Sequence, residues 1–209
     1  MNSQTSADTP RSFLRVGLTG GIGAGKSAVA AALQDFGALV VDTDLLAREA
    51  VAANSDGLRE IARVWPKVVS GGTLDRAALA AIVFRDPQAR ERLNGIVHPH
   101  VRRLAFEREK NALPGSVVVH VVPLLFETDY AALCDKTVLV EASLERRIAR
   151  IKARDGIDEA EIRARMAAQI APEDARQLAD YVIQNDDGLS ALRERTKAVY
   201  EKLRAANVS

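Results

Sequence analysis

The chain is short of the residues that staple or embed a protein. It has one cysteine, Cys134, in 209 residues, which excludes an internal disulfide framework and suits a reducing compartment. Flanked by Leu133 and Asp135, that thiol is expected to be inert and structural rather than a nucleophile. No apolar run approaches the roughly 20 residues that a membrane helix needs. The opening stretch, Met1 to Pro10, is polar and small and lacks the hydrophobic core of a signal peptide. Residues 1–12 are expected to be a disordered leader, and the protein to be cytoplasmic. Charge of one sign is not in excess either: 29 basic against 28 acidic residues leave a formal net charge of +1, which argues against a general nucleic-acid binder. There is no internal repeat and no low-complexity block. What remains is a chain of ordinary apolar content, long enough for one domain, or one domain with lobes grown from it, around a substantial core.

One stretch organises the rest. Gly20-Gly21-Ile22-Gly23-Ala24-Gly25-Lys26-Ser27 reads GxxxxGK[ST], the phosphate-binding P-loop. Phe13 to Thr19 before it has the composition of a strand. Val29, Leu33 and Phe36 after it carry the apolar face of a helix. The glycines let the backbone point successive N–H groups at a phosphate, and the helix start adds the positive end of its dipole. Lys26 supplies a mobile charge for the terminal phosphates, and the Ser27 hydroxyl is placed to hold Mg²⁺.

Gly37 is a helix stop. Ala38 to Val41 reads as a short buried strand that ends at Asp42-Thr43-Asp44. Ligands of open α/β sheets sit beyond the carboxyl ends of strands, so a carboxylate there can face the phosphate site. In extended chain Asp42 and Asp44 share a side; one of the two is equally open to a role as the cap of the next helix. Residues 45–113 look helical, with breaks at Asn54 to Gly57, at Pro66 and at Ser70 to Thr73, and exceed a normal crossover. They are expected to form an inserted substrate lobe with Trp65 and Phe84 in its core and its helix interrupted at His98-Pro99-His100. Ser116 to Val122, Lys136 to Val140 and Tyr181 to Ile183 complete a set of five strands alternating with helices, hence a doubly wound α/β fold with a parallel sheet.

Between the last two strands, residues 143–179 hold seven arginines offset by seven acidic residues. Leu144, Ile148 and Ile151 give the first helix a buried stripe, with Arg147, Arg150 and Arg154 beside it. Arg146 and Arg163 read as a solvated, salt-bridged face. The arginine stripe reads as a lid closing cations over a phosphoryl group in transit, and Asp155-Gly156 as its hinge. No guanine-reading Asn-Lys-x-Asp follows the late strand, and no acidic residue closes the strand from Val117, which ends Val122-Pro123. A GTPase and a mechanical ATPase both fit less well than a small-molecule kinase.

With these residues in order the chain resembles the dephospho-coenzyme A kinase family from about Leu14 to Tyr200. The likeness rests on Leu18 to Ser27, on Asp42-Thr43-Asp44 with Ala47-Arg48, and on Gly72 to Arg76, His98-Pro99 and Pro123-Leu124-Leu125-Phe126-Glu127. Arg150, Arg154, Gln169, Ala179-Asp180 and Asn185 extend it. Ala28 departs from the threonine that many members carry there. The resemblance implies ATP as co-substrate and dephospho-CoA as acceptor of the γ-phosphoryl at its ribose 3′-hydroxyl, completing coenzyme A biosynthesis. Another P-loop nucleotide or small-molecule kinase is the alternative, and a non-catalytic nucleotide switch a further rival.

The expected organisation is one domain over 13–209, with a core of 13–44, 114–142 and 180–209, a helical acceptor lobe over 45–113 and a lid over 143–179. Asp44, Lys26 and Arg150 are the expected catalytic residues. Thr19, Gly21, Ile22, Gly23, Ala24, Gly25, Lys26, Ser27, Ala28, Arg154 and Asn185 are expected at the nucleotide. Asp42, Asp44, His98, Pro123 and Leu124 are expected at the acceptor, and Ser27 at the metal. His98 and Asn185 are placed by the resemblance alone. The expected partners are small molecules, with no nucleic acid or membrane, on a monomer or weak homo-oligomer.

Overall fold

The computed structural model describes residues 12–207; apart from Ser12, the expected leader lies outside the described residues. The chain divides into two compact units, Asp42–Asn111 and the remainder.

The larger unit is built on a five-stranded parallel sheet. Its strands are β1 (Leu14–Thr19), β2 (Leu39–Asp42), β5 (Val117–Val121), β6 (Lys136–Glu141) and β7 (Tyr181–Gln184), in the order β2-β5-β1-β6-β7. β1 is central, pairing with β5 on one side and β6 on the other, and every one of its residues is buried. Strand alternation sorts its side chains to two faces. Leu14, Val16 and Leu18 join Val117, Val119, Val121, Val138 and Val140 in one core cluster. Helices α1 (Lys26–Asp35) and α9 (Leu189–Ala206) cover that face with Val29, Leu33, Leu192 and Leu203. On the opposite face of β1 lie Arg15, Gly17 and Thr19. Arg15 is buried yet satisfied: its N–H donates to Asp135 Oδ2 and its guanidinium to Leu133 O, both at 2.8 Å. At Gly17 a Cβ would come within 2.8 Å of Leu125, so only glycine lets Leu125 close over the strand. Cys134 packs beside Leu125, Val122 and Tyr130.

Three helices fill the span from β6 to β7: α6 (Leu144–Asp155), α7 (Glu159–Ala167) and α8 (Pro172–Leu178). Ile148 and Ile151 of α6 are buried with Ile162 of α7, whereas Leu144 is 40% exposed and does not complete the expected stripe. Gly156, left-handed at φ 67°, caps α6. Arg163 pairs with Glu159 at 2.8 Å on the exposed face of α7.

Asp180 staples the start of β6 to that of β7. Its carboxylate accepts from the Thr137 N–H and hydroxyl, both at 2.8 Å, and from Lys136 Nζ at 3.1 Å. Partial burial pushes its pKa up, but the bonds from Thr137 and Lys136 outweigh it, and the net direction is down. A carboxyl lowered in the folded state adds stability above its unfolded pKa of about 3.9 and loses it as pH falls through the folded value. Asp180→Ala is therefore expected to lower the thermal midpoint at pH 7, with the gap to wild type narrowing as the scan moves below about pH 4. A gap constant from pH 7 to pH 3 would show that the charge contributes nothing.

The smaller unit holds α2 (Thr43–Ala50), α3 (Asp56–Val64), α4 (Arg76–Arg85) and α5 (Pro87–Glu109). It also holds a two-stranded antiparallel hairpin of β3 (Val69–Ser70) and β4 (Thr73–Leu74). Two expectations are corrected here, at Pro99 and Phe84, while the expected break at 70–73 is present. The glycine-rich break at 70–73 is the turn of this hairpin, where Gly71 and Gly72 take φ 56° and 74°. α5 runs without interruption through Pro99. Pro99 forfeits one hydrogen bond, and burial of Ala89, Val101 and Ala105 along the helix outweighs it. Trp65 does pack against Val51, Ile61, Val68 and Leu79, but Phe84 is 90% exposed. The run Ala77 to Phe84 is apolar all round, and a helix of that kind cannot bury every side.

Candidate active site

The phosphate-binding loop follows β1, where the chain must turn out of a fully buried strand into α1. Two of its glycines are demanded by contact as well as by angle. At Gly20 a Cβ would lie 2.3 Å from Val140 O. At Gly25, left-handed with φ 101°, it would lie 2.1 Å from Asn185 Nδ2. Gly25 is the N-cap of α1, and no side chain caps that helix start, leaving it suited to an anion.

Side-chain donors engage the loop's carbonyl groups. Lys26 Nζ donates to Gly20 O at 2.5 Å, and Arg147 Nε donates to Ile22 O at 2.9 Å. Arg150 reaches Gly23 O at 3.4 Å and Ala24 O at 3.3 Å, while Asn185 Nδ2 donates to Ala24 O at 2.7 Å. Arg150 also donates to Asn185 O at 2.8 Å, so α6 and the end of β7 grip the loop as one unit. Holding carbonyls on one side commits a peptide's N–H groups to the other, the arrangement that an anion cup needs. Burial pushes the Arg147 pKa down, yet a guanidinium keeps its charge at neutral pH.

A cavity of about 990 Å³ opens beside the loop on the sheet face that carries Thr19, Leu139 and Glu141. Gly20, Gly21, Pro123, Glu127, Arg147 and Gln169 are on its wall. Thr19 donates its hydroxyl to Pro123 O at 3.4 Å. Asp186 caps the approach to α6 by accepting the Ser143 N–H at 2.8 Å, which holds its carboxyl below the usual range.

The structure thus gathers Thr19, Gly21 to Ser27, Arg150 and Asn185 at one loop. Ala28 lies in the first turn of α1, partly buried against the core, and Ser27 is exposed there. Pro123 borders the cavity, whereas Leu124 is 44% exposed and absent from its wall. Arg154 makes no bond to the loop; its fork lies on Asp155, with two contacts of 2.7 Å. Asp155 raises the arginine's pKa, and Arg154 lowers the carboxyl's. In the smaller unit the chain turns helical at Thr43, so Asp42 and Asp44 do not share the side of a strand as expected. Asp42 is the N-cap of α2, accepting the N–H groups of Asp44 at 2.9 Å and Leu45 at 3.2 Å. Asp44 stands exposed in the first turn. His98 lies on α5 beside a shallow groove lined by Glu91, Asn94, Pro99 and Arg102.

Arg147, Glu127 and Gln169 join the site with no individual role expected of them, Arg147 as one of the lid's arginine stripe and Glu127 and Gln169 only as positions of the family resemblance. Arg147 was visible in the arginine stripe of α6. Gln169 lies in the link between α7 and α8, where no periodicity signals it.

A β1–loop–α1 phosphate cup at the carboxyl edge of a parallel sheet, with two arginines arriving from the helix that follows β6, defines a P-loop phosphotransferase. The family model "Dephospho-CoA kinase" matches residues 14–191. A dephospho-CoA kinase of Streptomyces avermitilis is 44% identical over 193 residues, 91% of this chain and 94% of the relative. One from Thermus thermophilus is 42% identical over 188 residues, 90% and 91% of the two chains. The crystal structure of TT1252 from Thermus thermophilus superposes with a TM-score of 0.80 at 41% identity, covering 91% of this chain and 97% of that one. The chain belongs to the dephospho-CoA kinase family. No helix among the described residues is long and apolar enough to cross a membrane.

Proposed function

We propose that this kinase transfers the γ-phosphoryl group of ATP to the ribose 3′-hydroxyl of dephospho-CoA, giving CoA and ADP, the last step of coenzyme A biosynthesis, in the cytoplasm. The observation that carries the nucleotide half is the loop whose carbonyls are held by Lys26, Arg147, Arg150 and Asn185. Family membership over residues 14–191 supports the acceptor.

In this reading the loop from Gly21 to Ser27 cradles the phosphates, except at Ile22, whose N–H is taken by Gln169, and Asn185 lies near adenine. The helical unit takes the acceptor, with His98 in it. The 3′-oxygen attacks the γ-phosphorus; the new O–P bond forms as the bond to the β–γ bridging oxygen breaks, and its electron pair leaves with ADP. The hydroxyl proton passes to Asp44. Asp42 is not the base, because its carboxylate oxygen already accepts two N–H groups of α2. Lys26 and Arg150 offset the charge that develops on the transferring group. Pro123 borders the acceptor side, and the α6–α8 segment is the lid that keeps water from taking the phosphoryl group.

The residues fit a nucleotide-borne Mg²⁺. Ser27 is an exposed hydroxyl on the first turn of α1. Among the described residues no group of three or more His, Cys, Asp or Glu could form an all-protein cage. Magnesium sites of this kind take one or two protein oxygens and fill the rest with phosphate and water. When bound there it would neutralise charge on the β and γ oxygens.

Purified protein with ATP, Mg²⁺ and dephospho-CoA is expected to release ADP and CoA in equal amounts, and AMP, adenosine or shikimate to accept nothing at comparable rates. ADP binding without phosphorylated product from any acceptor would remove the assignment. Arg150→Ala is expected to lower kcat and to weaken ATP, because it removes donors from two loop carbonyls, those of Gly23 and Ala24, and from the carbonyl of Asn185 at once. An effect confined to the acceptor KM would move Arg150 to the acceptor. Arg154→Ala is expected to change the thermal midpoint by less than about 2 °C, since an exposed ion pair contributes little.

A further inference from the structure

The geometry points to Gln169 as a positioning residue for phosphoryl transfer: its side-chain amide oxygen fixes the tip of the phosphate-binding loop at Ile22. The inference deepens the kinase reading above and rests on it.

Three independent holds converge on Ile22. Its N–H donates to Gln169 Oε1 at 2.8 Å. Its carbonyl accepts from Arg147 Nε at 2.9 Å. Its side chain packs against the cluster of Ile148, Ile151, Ile162 and Met166. The next residue, Ile170, donates its own N–H to Glu127 Oε1 at 3.0 Å. Gln169 and Ile170 therefore tie the link after α7 to two loops at once: the P-loop after β1 and the Pro123–Glu127 segment after β5. The Gln169 backbone is itself set, its N–H donating to Met166 O at 3.1 Å.

A peptide whose N–H is held by a protein acceptor is not available to a phosphate. Ile22 acts instead as the fixed post from which Gly23 to Ser27 swing into place. The acceptor on that post must be uncharged. A carboxylate could take the same bond, but it would put a negative charge beside the incoming phosphates, where Coulomb repulsion is only partly screened. Glutamine provides the oxygen without the charge. Because the bond falls outside the cup's own N–H groups, its loss should misplace the transferring group more than it weakens the bound nucleotide.

Gln169→Leu, similar in size and without an acceptor, and Gln169→Glu, which keeps an Oε1, separate these effects. In Gln169→Leu the Ile22 amide is expected to exchange about tenfold faster in nucleotide-free enzyme, by local opening alone. With it kcat should fall about tenfold, the scale of one hydrogen bond. The ADP dissociation constant should stay within about twofold and core amides should be unchanged. In Gln169→Glu the Ile22 amide is expected to stay protected while ADP binds about tenfold more weakly. Gln169→Leu overturns the proposal if Ile22 exchange or kcat stays within twofold. It also does so if ADP weakens while kcat holds, or if exchange rises equally through the core as in a merely destabilised protein. Failure of the acceptor assignment would be seen separately, as wild-type enzyme that makes no CoA; the exchange and ADP measurements then decide the role of Gln169 alone.

Discussion

Asp44→Asn is expected to lower kcat for CoA formation by about two to four powers of ten, the range for removing a positioned base, while ADP binding stays within about twofold. The side-by-side comparison with Asp42 makes the result interpretable. Asp42 caps α2, and asparagine caps as well as aspartate, so Asp42→Asn should leave stability and ADP affinity near wild type and reduce kcat far less. Asp42→Ala, which loses the cap, should cost about 1 kcal/mol of stability. Steady-state rates with saturating ATP and dephospho-CoA, ADP titration calorimetry and denaturant unfolding measure kcat, affinity and stability for all three. If Asp44→Asn kept a third or more of wild-type kcat, Asp44 would have no catalytic role and the proton would need another acceptor.

The contrast between these two neighbours shows what could be read along the chain and what could not. The β1–loop–α1 unit was legible because its requirements are local. A strand buried on both faces, glycines where the backbone takes φ of 101° at Gly25, and a helix with Val29 and Leu33 inward are all written within some twenty consecutive residues. The strand from Val117 was legible for the same reason: a central parallel strand must be apolar on both faces. Asp42 and Asp44 were ambiguous because strand end and helix start compete for the same residues, and only the bonds to the N–H groups of residues 44 and 45 resolve them. Arg147 and Gln169 were harder still. Their bonds to Ile22 span 125 and 147 residues of sequence, and no spacing rule reaches across the five and seven α-helices that lie between. At Pro99 and Phe84 the local rule itself was outvoted: helix packing carried α5 through a proline, and α4 had more apolar surface than one face can bury.

Gly25→Ala is expected to weaken nucleotide binding about a hundredfold or more in a protein that still folds. Two costs fall on that methyl group. The first is backbone strain, since an L-residue at φ 101° is held in the left-handed region at about 1–2 kcal/mol. The second is displacement: the new Cβ would sit 2.1 Å from Asn185 Nδ2 and 3.7 Å from an Arg150 nitrogen. The Asn185 side chain must leave Ala24 O, and the bond that Arg150 donates to Asn185 Oδ1 at 3.3 Å is disturbed with it. A carbonyl freed of its donors can rotate into the cup, where it meets phosphate oxygens of like sign. ADP affinity should therefore fall at least about a hundredfold, roughly 3 kcal/mol, whereas the thermal midpoint should drop by less than about 10 °C. Gly115→Ala supplies the control, because Gly115 has φ 74° and nothing within 4 Å of the added methyl. It carries similar strain without displacement, so its midpoint should fall by a comparable amount with ADP binding unchanged. Equal ADP affinity in Gly25→Ala and wild type would mean that the grip of Asn185 and Arg150 on the loop does not shape the cup.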